Sequence, residues 1–559
     1  MNRRLVERVN RLLSLEKGTV IKDPGGKIDL CLVYPNTYHV GMSNLGFQGI
    51  YGLLNKRSDV VCERAFLPGE GEREEYRRTG TPVFSYETKR PLSSFSVVAF
   101  SLSFENDYAH VATILDMAKV PLFAAERGDY DPLLIAGGVC VSANPEPVAP
   151  FFDFIFIGEA EESLNEFLDL YGGAAGLGAG RSSGRERLKD AVLRLTGVYV
   201  PGRYKVAPGR SGMVTERIPL GEAPPRIRWR RVDDISRDAL STTIITPETE
   251  FSSMHLVEVM RGCPWDCRFC LVGHVYGVPR KKNSEALSRE ILGARGRASR
   301  IGLVGPSLTD YPHLEDMLCI DGVNFSITSL RASARSARLV EFLKGSRTVS
   351  IAPEAGTERL RRVVSKRIDE DDILTTSRML FDAGVETLRL YFMVGLPTET
   401  DGDILGIVSL VQKIRACSQR GAVVMSVSTF VPKPFTPFQW HPMVRLEEAR
   451  EKLRILKDRL RKVRGVKLFH DVPKYAHMQG LFSLGDRRVA EVIRELPFRD
   501  SWVGACRKAG VDYEQYLFRP RDLDETLPWD FIDAGVPKER LWKEYNDALS
   551  VSVSPEDSA

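Results

Sequence analysis

The sequence predicts an α/β protein built from an N-terminal Rossmann-like doubly wound sheet, a central partial (β/α)6 barrel and a mainly helical C-terminal region. Short apolar runs alternate with helical patterns in the first third of the chain, and six further strand-like runs recur between Met254 and Met443. Amphipathic helical patterns dominate the remainder. Near-continuously apolar strands that alternate with helices are typical of parallel sheets covered on both faces.

The chain of 559 residues is too long for one hydrophobic core, because cores stop growing at roughly 250–300 residues. Hydrophobic residues make up 43% of it and charged residues 27%, which is typical of a folded globular protein. We expect a sheet domain over residues 1–171, a linker and bridging segment over 172–247, a barrel over 248–444 and a helical region over 445–559.

Charge and hydropathy exclude some classes of partner. Lys and Arg outnumber Asp and Glu by 78 to 74, so the chain as a whole gives no electrostatic reason to bind nucleic acid or a membrane surface. No stretch approaches the ~20 apolar residues that cross a bilayer. The N-terminal residues form a charged amphipathic pattern without the apolar centre of a signal peptide. We therefore expect a cytoplasmic protein without a membrane partner.

Strands are predicted in the first domain at Ile28–Tyr34, Val97–Leu102 and Pro132–Gly138, and a fourth begins the segment 152–171. A helix is predicted from about Asn44 to Asn55. Residues 172–187 are small and polar, the composition of a flexible linker. In such sheets ligands bind beyond the carboxyl ends of the strands.

The barrel region contains the runs HLVEVM, RIGLVG, VNFSI, TVSIAP, LRLYFMVG and VVMSVSTFV, most of them separated by helical stretches. Six units are enough for an open barrel and fewer than the eight of a closed one. Chemistry in such barrels lies at the carboxyl ends of the strands. A cluster of cysteines follows the first of these runs directly.

Cys263, Cys267 and Cys270 form a CxxxCxxC pattern, whereas the other six of the nine cysteines are scattered singly, as small buried hydrophobes commonly are. Three thiolates on one loop can each bind one iron of a cubane and leave the fourth iron open to exchange. A structural zinc site and unliganded thiols remain alternatives. His274 is either a rival fourth ligand or a hydrogen-bonded loop residue.

With the aromatic Phe269 before its last cysteine, this motif resembles that of the radical S-adenosylmethionine (SAM) superfamily. The resemblance implies a 4Fe-4S cluster whose open iron binds SAM, and reductive cleavage of SAM to methionine and a 5′-deoxyadenosyl radical. That radical takes a hydrogen atom from the substrate. The resemblance also implies an electron donor such as flavodoxin or ferredoxin.

Gly305 and Ser307 occupy the position where the family's second strand meets the SAM amino group, although the usual Gly-Gly-Glu is absent. The resemblance places Glu354, after the fourth strand, against the ribose or amino group of SAM. Lys366 or Arg367 would neutralise the methionine carboxylate.

A carboxylate directly after an apolar strand needs a partner to offset its desolvation. For Glu354 the alternative partner is Arg331 or Arg389, in a structural salt bridge. In LYFMVGLPTET, Gly395 and Pro397 resemble the fifth-strand motif whose turn lies near the adenine.

Almost the whole chain resembles one uncharacterised bacterial radical SAM family with a cobalamin-binding-like N-terminal domain, through YPNTYHVGMSNLGFQG, LGDRR and LPWDFIDAGVPKERLWKEY. Ser101, Gly137 and Gly138 would let a corrin and its nucleotide tail lie against the sheet edge. The Asp-x-His-x-x-Gly motif that supplies a histidine to cobalt is missing around His39. Cobalamin binding and a vestigial domain therefore both remain open.

Methyl or methylthio transfer is the reaction that the resemblance suggests, with RNA as one candidate substrate. The support for RNA is the basic helix Arg445–Lys467 with Trp440 and His470 nearby. The three N-terminal cluster cysteines and the small RNA-binding barrel of methylthiotransferases are not visible here. An iron-sulfur electron carrier or redox sensor without SAM chemistry is the alternative function, and a scaffold on an inactive barrel is a third.

Overall fold

The computed structural model describes residues 2–173, 182–208, 214–238, 240–327, 329–339, 342, 347–418 and 420–551. The helices in chain order are α1 Arg3–Ser14, α2 Tyr38–Met42, α3 Leu45–Lys56, α4 Glu70–Thr79, α5 Tyr108–Ala118, α6 Val139–Ala143, α7 Ala160–Gly172, α8 Ser182–Val192, α9 Ile235–Asp238, α10 Val272–Val275, α11 Ser284–Ala294, α12 Leu314–Leu318, α13 Ala334–Leu339, α14 Glu358–Val363, α15 Glu370–Asp382, α16 Asp401–Ala416, α17 Leu446–Leu460, α18 Pro473–Leu484, α19 Val489–Glu495, α20 Trp502–Ala509, α21 Tyr513–Leu517 and α22 Lys538–Leu549.

The strands in chain order are β1 Ile28–Tyr34, β2 Val60–Phe66, β3 Val97–Ser101, β4 Leu133–Gly137, β5 Phe154–Phe156, β6 Val198–Tyr199, β7 Tyr204–Pro208, β8 Val214–Pro219, β9 Ile227–Arg228, β10 Met254–Glu258, β11 Met260–Arg261, β12 Arg280–Lys281, β13 Arg300–Val304, β14 Phe325–Ser326, β15 Ser329–Leu330, β16 Thr348–Glu354, β17 Thr387–Val394, β18 Ala422–Thr429, β19 Val466–His470 and β20 Ile532–Asp533.

The N-terminal sheet has the strand order β2-β1-β3-β4-β5-β6. The first five strands are parallel, and β6 runs antiparallel to β5 at the edge. All four predicted strands are present, and α3 is capped by the Asn44 side chain, which accepts from the Phe47 amide. From β1 the chain adds β2 on one side of the sheet and then β3, β4 and β5 on the other, so the topological switch point lies between β1 and β3. Doubly wound sheets bind ligands in the crevice beyond the carboxyl ends of the strands at this point.

Strand β2 has no counterpart in the sequence prediction, because Glu63 and Arg64 interrupt its apolar run. The structure buries Arg64 completely and pairs it with Glu16 at 2.8 Å and Glu87 at 2.7 Å. An ion pair with residues this far away in the chain leaves no periodic signal in the sequence. Pairing therefore allows a charged segment to form the edge strand of this sheet and still be buried along its whole length.

The segment predicted to be a linker is partly structured. Within residues 172–187, positions 174–181 lie outside the described residues, but α8 begins at Ser182 and buries Leu188 and Val192 against the N-terminal sheet. The bridging residues that follow supply β6 to that sheet and β9 to a pair with β20. The segment thus joins regions, and the boundaries at 171, 247 and 444 remain a proposal.

The barrel consists of two neighbouring parallel sheets, β10-β13-β14 and β15-β16-β17-β18-β19. The third predicted strand is split between them as β14 and β15. The predicted helix Arg445–Lys467 ends earlier, since α17 stops at Leu460 and the chain returns as β19 beside β18. This strand extends the barrel beyond the predicted six units. The sequence VKLFH of this strand is short and largely exposed, so its apolar alternation was too weak to predict a strand.

The C-terminal region is mainly helical, as predicted, and it shares a hydrophobic core with one face of the N-terminal sheet. The barrel strands enclose a second core. Trp440 and Trp529 are almost fully buried in the shared core. In the part of the chain that the structure describes, no helix is both long and apolar enough to span a membrane.

Candidate functional site

The three clustered cysteines lie on the loop between β11 and α10, at the carboxyl edge of the barrel. Gly262 has a left-handed backbone with φ of 83°, which turns the chain immediately before Cys263. The loop borders a cavity of about 450 Å³ at the ends of β13, β15 and β16. The predicted residues that line this cysteine cavity are Cys263, Cys267, Cys270, Phe269, Gly305, Ser307, Glu354 and Lys366.

Burial raises the pKa of all three thiols, and it raises that of Cys267 to about 11 although Lys366 and Arg331 act in the opposite direction. Because a thiol binds metal as the thiolate, metal binding at these cysteines would release their protons. Among the described residues, no three His, Cys, Asp or Glu side chains converge on one point as the ligands of a single metal ion would. Thiols spread around a cavity fit a cubane, in which each thiolate binds a different iron, better than tetrahedral zinc.

His274 is not positioned to act as a fourth ligand of the cluster. Its Nε2 donates to the carbonyl oxygen of Cys267 at 3.3 Å, and burial lowers the pKa of its imidazole. It does not line the cysteine cavity. The geometry favours a hydrogen-bonded structural residue, and the structure places it in the short helix α10 and not in the loop that was predicted.

Glu354 ends β16 where the register with β17 shifts, and it has a left-handed φ of 68°. A side chain with a Cβ is strained there, because the left-handed region costs roughly 1–2 kcal/mol for such residues. Its carboxylate accepts from Lys366 Nζ at 2.9 Å, so the partner is neither Arg331 nor Arg389. Burial disfavours the Lys366 charge, but Glu354 outweighs it and raises the pKa of the amine.

Gly305 and Ser307 lie in the turn after β13, as predicted. A Cβ on Gly305 would lie 2.6 Å from Cγ of Met260, so this position needs a residue without a side chain. Ser307 donates to Asp310 Oδ2 at 2.6 Å, and Trp265 of the cysteine loop donates to the same oxygen at 2.8 Å. Asp310 thus fastens the loop to this turn.

Three predicted residues lie outside the cysteine cavity. Arg367 is exposed and pairs with Asp266 at 2.8 Å. Gly395 has φ of 80° and donates its amide to Glu399 at 2.7 Å, in a turn in which Pro397 is buried. These contacts give all three a structural explanation.

Arg331 was not predicted as a ligand-binding residue, yet it lines the cysteine cavity. Its guanidinium lies 3.6 Å from the ring centroid of Trp265, and Nη2 donates to the carbonyl of Arg367 at 2.6 Å. Within the described ranges it forms no ion pair with a carboxylate. Burial lowers its pKa. Its position directly after β15, at the barrel's carboxyl edge, was the available signal.

A second cavity, of about 410 Å³, lies between the N-terminal sheet and the barrel, and Ser101, Gly137 and Gly138 line it as predicted. We call it the switch-point cavity. A Cβ on Gly138 would lie 2.3 Å from the Leu102 carbonyl oxygen, and φ there is 123°. Val304 lines both cavities, which are therefore neighbours.

The barrel side of the switch-point cavity carries Glu258, Arg261 and Tyr276. No histidine of the described chain lines this cavity. His39 is half-exposed and lies 3.7 Å from Glu250. It lies on the exposed side of α2 and does not line the cavity.

Comparison with known families and proteins gives two matches to family models. Residues 46–201 match the model described as radical SAM proteins, N-terminal, and residues 257–411 match the radical SAM superfamily. These ranges coincide with the sheet domain and with the barrel that carries the cysteine loop.

The chain is 27% identical to the uncharacterized protein MJ0966 of Methanocaldococcus jannaschii, over 88% of this chain and 97% of that one. It is 22% identical to the ribosomal protein uS12 methylthiotransferase RimO of Thermodesulfovibrio yellowstonii, over 33% of this chain and 48% of RimO. It is 23% identical to the tRNA-2-methylthio-N(6)-dimethylallyladenosine synthase of Rickettsia canadensis, over 28% and 40%.

Among solved structures, the cobalamin-dependent SAM radical enzyme OxsB with aqua-cobalamin bound is similar at a TM-score of 0.45 and 13% identity. The match covers 95% of this chain and 63% of OxsB. The two family models match most of the N-terminal sheet domain and the barrel as far as residue 411, and the chain belongs to the radical SAM superfamily of enzymes.

Proposed function

We propose that this enzyme holds a 4Fe-4S cluster on Cys263, Cys267 and Cys270 and cleaves SAM reductively at the open iron. The cofactors of the superfamily are this cluster and SAM. When bound, the cluster supplies the electron that breaks the sulfonium bond. The observation that carries the proposal is that all three thiols and five of the predicted SAM-side residues line one cavity at the barrel's carboxyl edge.

Arg331 is the best candidate to bind the SAM carboxylate. Of the three cations considered, Lys366 is neutralised by Glu354 and Arg367 by Asp266, whereas Arg331 has no carboxylate partner in the described part of the chain. A SAM carboxylate in the cavity would give this guanidinium a direct partner and offset the cost of its burial. Stacking on Trp265 holds the guanidinium plane in place.

Glu354 would accept hydrogen bonds from the ribose or amino group of SAM while it holds Lys366. Gly305 provides room for the backbone to approach the ligand. Phe269 lines the same cavity, where an apolar ring excludes water from the reacting atoms.

Anaerobic reconstitution tests the proposal directly. We expect about four irons per chain, a change in the electron paramagnetic resonance (EPR) spectrum when SAM is added, and 5′-deoxyadenosine after reduction. Reduced flavodoxin or ferredoxin is the proposed electron donor and should replace dithionite. A cluster that neither responds to SAM nor yields 5′-deoxyadenosine would instead support the electron carrier or redox sensor.

For cobalamin, the switch-point cavity supports a limited role. Its floor is largely apolar, and 410 Å³ lies toward the small end of the range for drug-sized ligands. It would take the nucleotide tail and leave the corrin ring in the crevice outside. We expect the absorbance spectrum of aquocobalamin to change on binding and Gly137→Leu, which fills the cavity, to prevent that change.

We propose methyl or methylthio transfer, with RNA as one candidate substrate. The names of two distant relatives support methylthio transfer, and one of them is named for a tRNA product. A second cluster of the methylthiotransferase kind has no support in the sequence, because the six cysteines outside the loop are scattered singly. The predicted RNA contact at Trp440 is wrong, since its ring is fully buried against Trp542 and Tyr545. His470 is exposed and remains a candidate contact.

A further inference from the structure

Arg261 lies two residues before Cys263 and is buried among three carboxylates. Its Nη1 is 2.9 Å from Glu159, and its Nη2 is 2.8 Å from Glu161 and 2.6 Å from Glu258. Its Nε also donates to Glu258 at 2.9 Å. We call these four residues the Arg261 network.

The network joins two parts of the molecule. Glu159 and Glu161 lie at the start of α7, which follows β5 of the N-terminal sheet, whereas Glu258 ends β10 of the barrel. Only Gly262 separates Arg261 from the first cluster cysteine. A displacement of α7 therefore acts on the residue that leads into the cysteine loop.

The pairing within this network is extensive. Burial disfavours the charge of Arg261, but the three glutamates outweigh it and raise the pKa of the guanidinium far above its usual range. Glu159 also accepts from Arg280 at 2.5 Å and from the Val232 amide at 2.8 Å. A guanidinium held by three carboxylates has one favoured position, because each displacement breaks a charge-assisted bond.

All four residues of the network also line the switch-point cavity. The same side chains thus form the wall of one cavity and the anchor of the loop that borders the other. A ligand that fills the switch-point cavity would therefore contact the side chains that hold the Cys263 end of the loop in position.

We propose that Arg261 is a positioning residue that couples the switch-point cavity to the cluster. It fixes the Cys263 end of the cysteine loop to the N-terminal sheet, so the environment of the cluster depends on the position of α7. The inference rests on the proposed function, since it requires a cluster on Cys263.

The test compares full-length, anaerobically reconstituted wild-type protein with Arg261→Lys, Glu161→Gln and the control Arg280→Lys. Arg280 pairs with the same Glu159 and lies opposite Arg261 in the β11-β12 pair, but it does not line the cavity. We expect every variant to keep the wild-type iron content. Arg261→Lys and Glu161→Gln should shift the EPR spectrum of the SAM-bound cluster and weaken SAM binding about tenfold, the effect of roughly 1.4 kcal/mol. Arg280→Lys should do neither.

If both Arg261→Lys and Glu161→Gln have the wild-type EPR spectrum and the wild-type SAM affinity, the proposal is overturned. The network would then only stabilise the fold. If Arg261→Lys does not fold, Glu161→Gln decides alone, because it leaves Arg261 paired with Glu159 and Glu258. A wild-type protein that binds no cluster would instead refute the proposed function.

Discussion

The two cavities beside Val304 differ in how their charges are partnered. The cysteine cavity contains Arg331, which forms no ion pair with a carboxylate of the described residues, and Glu354 in a strained backbone conformation. The wall of the switch-point cavity holds Arg261 in contact with three carboxylates. Unpartnered charge and strain reduce stability and persist where a ligand makes use of them. The cysteine cavity thus has the features of a ligand-binding surface, whereas the ion pairs of the switch-point cavity hold the surrounding elements in position.

The largest expected effect tests whether the cysteine cavity is a metal site. Cys267→Ala should abolish cluster binding and 5′-deoxyadenosine formation, because a cubane with two protein ligands is not retained. Iron analysis and chromatography measure the two losses. The control is Cys506→Ala, which replaces a buried cysteine in α20. This variant should contain as much iron as the wild-type protein. Equal iron content in both variants would contradict the assignment.

The next effect tests a paired junction between the N-terminal and C-terminal regions. Arg487 at 3.1 Å and Arg217 at 3.3 Å lower the pKa of buried Glu146 to about 2, although burial acts in the opposite direction. A carboxyl group whose pKa is depressed on folding stabilises the protein above its unfolded pKa, and this stability is lost as the pH falls through the folded value.

Urea unfolding should therefore show a loss of stability as the pH falls from about 4.5 to about 2, on the order of 3 kcal/mol from this group. Glu146→Gln should be less stable at neutral pH and should lose less over that window. If the two proteins show the same pH slope, Glu146 does not titrate as proposed.

A moderate effect is expected at Arg331. Arg331→Gln should raise the SAM dissociation constant roughly 10- to 100-fold, since a hydrogen bond to a charged group contributes about 1.5–3 kcal/mol. Calorimetric titration of SAM measures it. Arg367→Gln is the matched control, because Arg367 is exposed and already paired with Asp266. Weakened binding in Arg367→Gln with unchanged binding in Arg331→Gln would restore the prediction made from the sequence.

The smallest effect concerns the strain at Glu354. Glu354→Gly and Glu354→Ala both remove the pair with Lys366, but only glycine is relaxed at φ of 68°. We expect the glycine variant to be more stable than the alanine variant by about 1 kcal/mol in urea unfolding. Equal stabilities would show that the backbone at this position is not strained.

Local patterns in the sequence determined much of this protein. Strands β1, β3, β4 and β5 and the six barrel runs follow from apolar segments bounded by turns, and the cysteine spacing predicts a cubane site without reference to distant residues. The resemblance to radical SAM motifs implied that Gly305, Ser307 and Glu354 belong to that site, and all three line the cysteine cavity.

The tertiary structure alone decided which charges meet. Strand β2 forms because Arg64 reaches Glu16, Glu354 pairs with Lys366 and not with Arg331, and Trp440 is covered by α22. Arg261 reaches Glu161, a hundred positions away in the chain. Hydrophobic periodicity is a property of neighbouring residues, whereas ion pairing and burial between distant segments depend on how the segments pack, which no local pattern records.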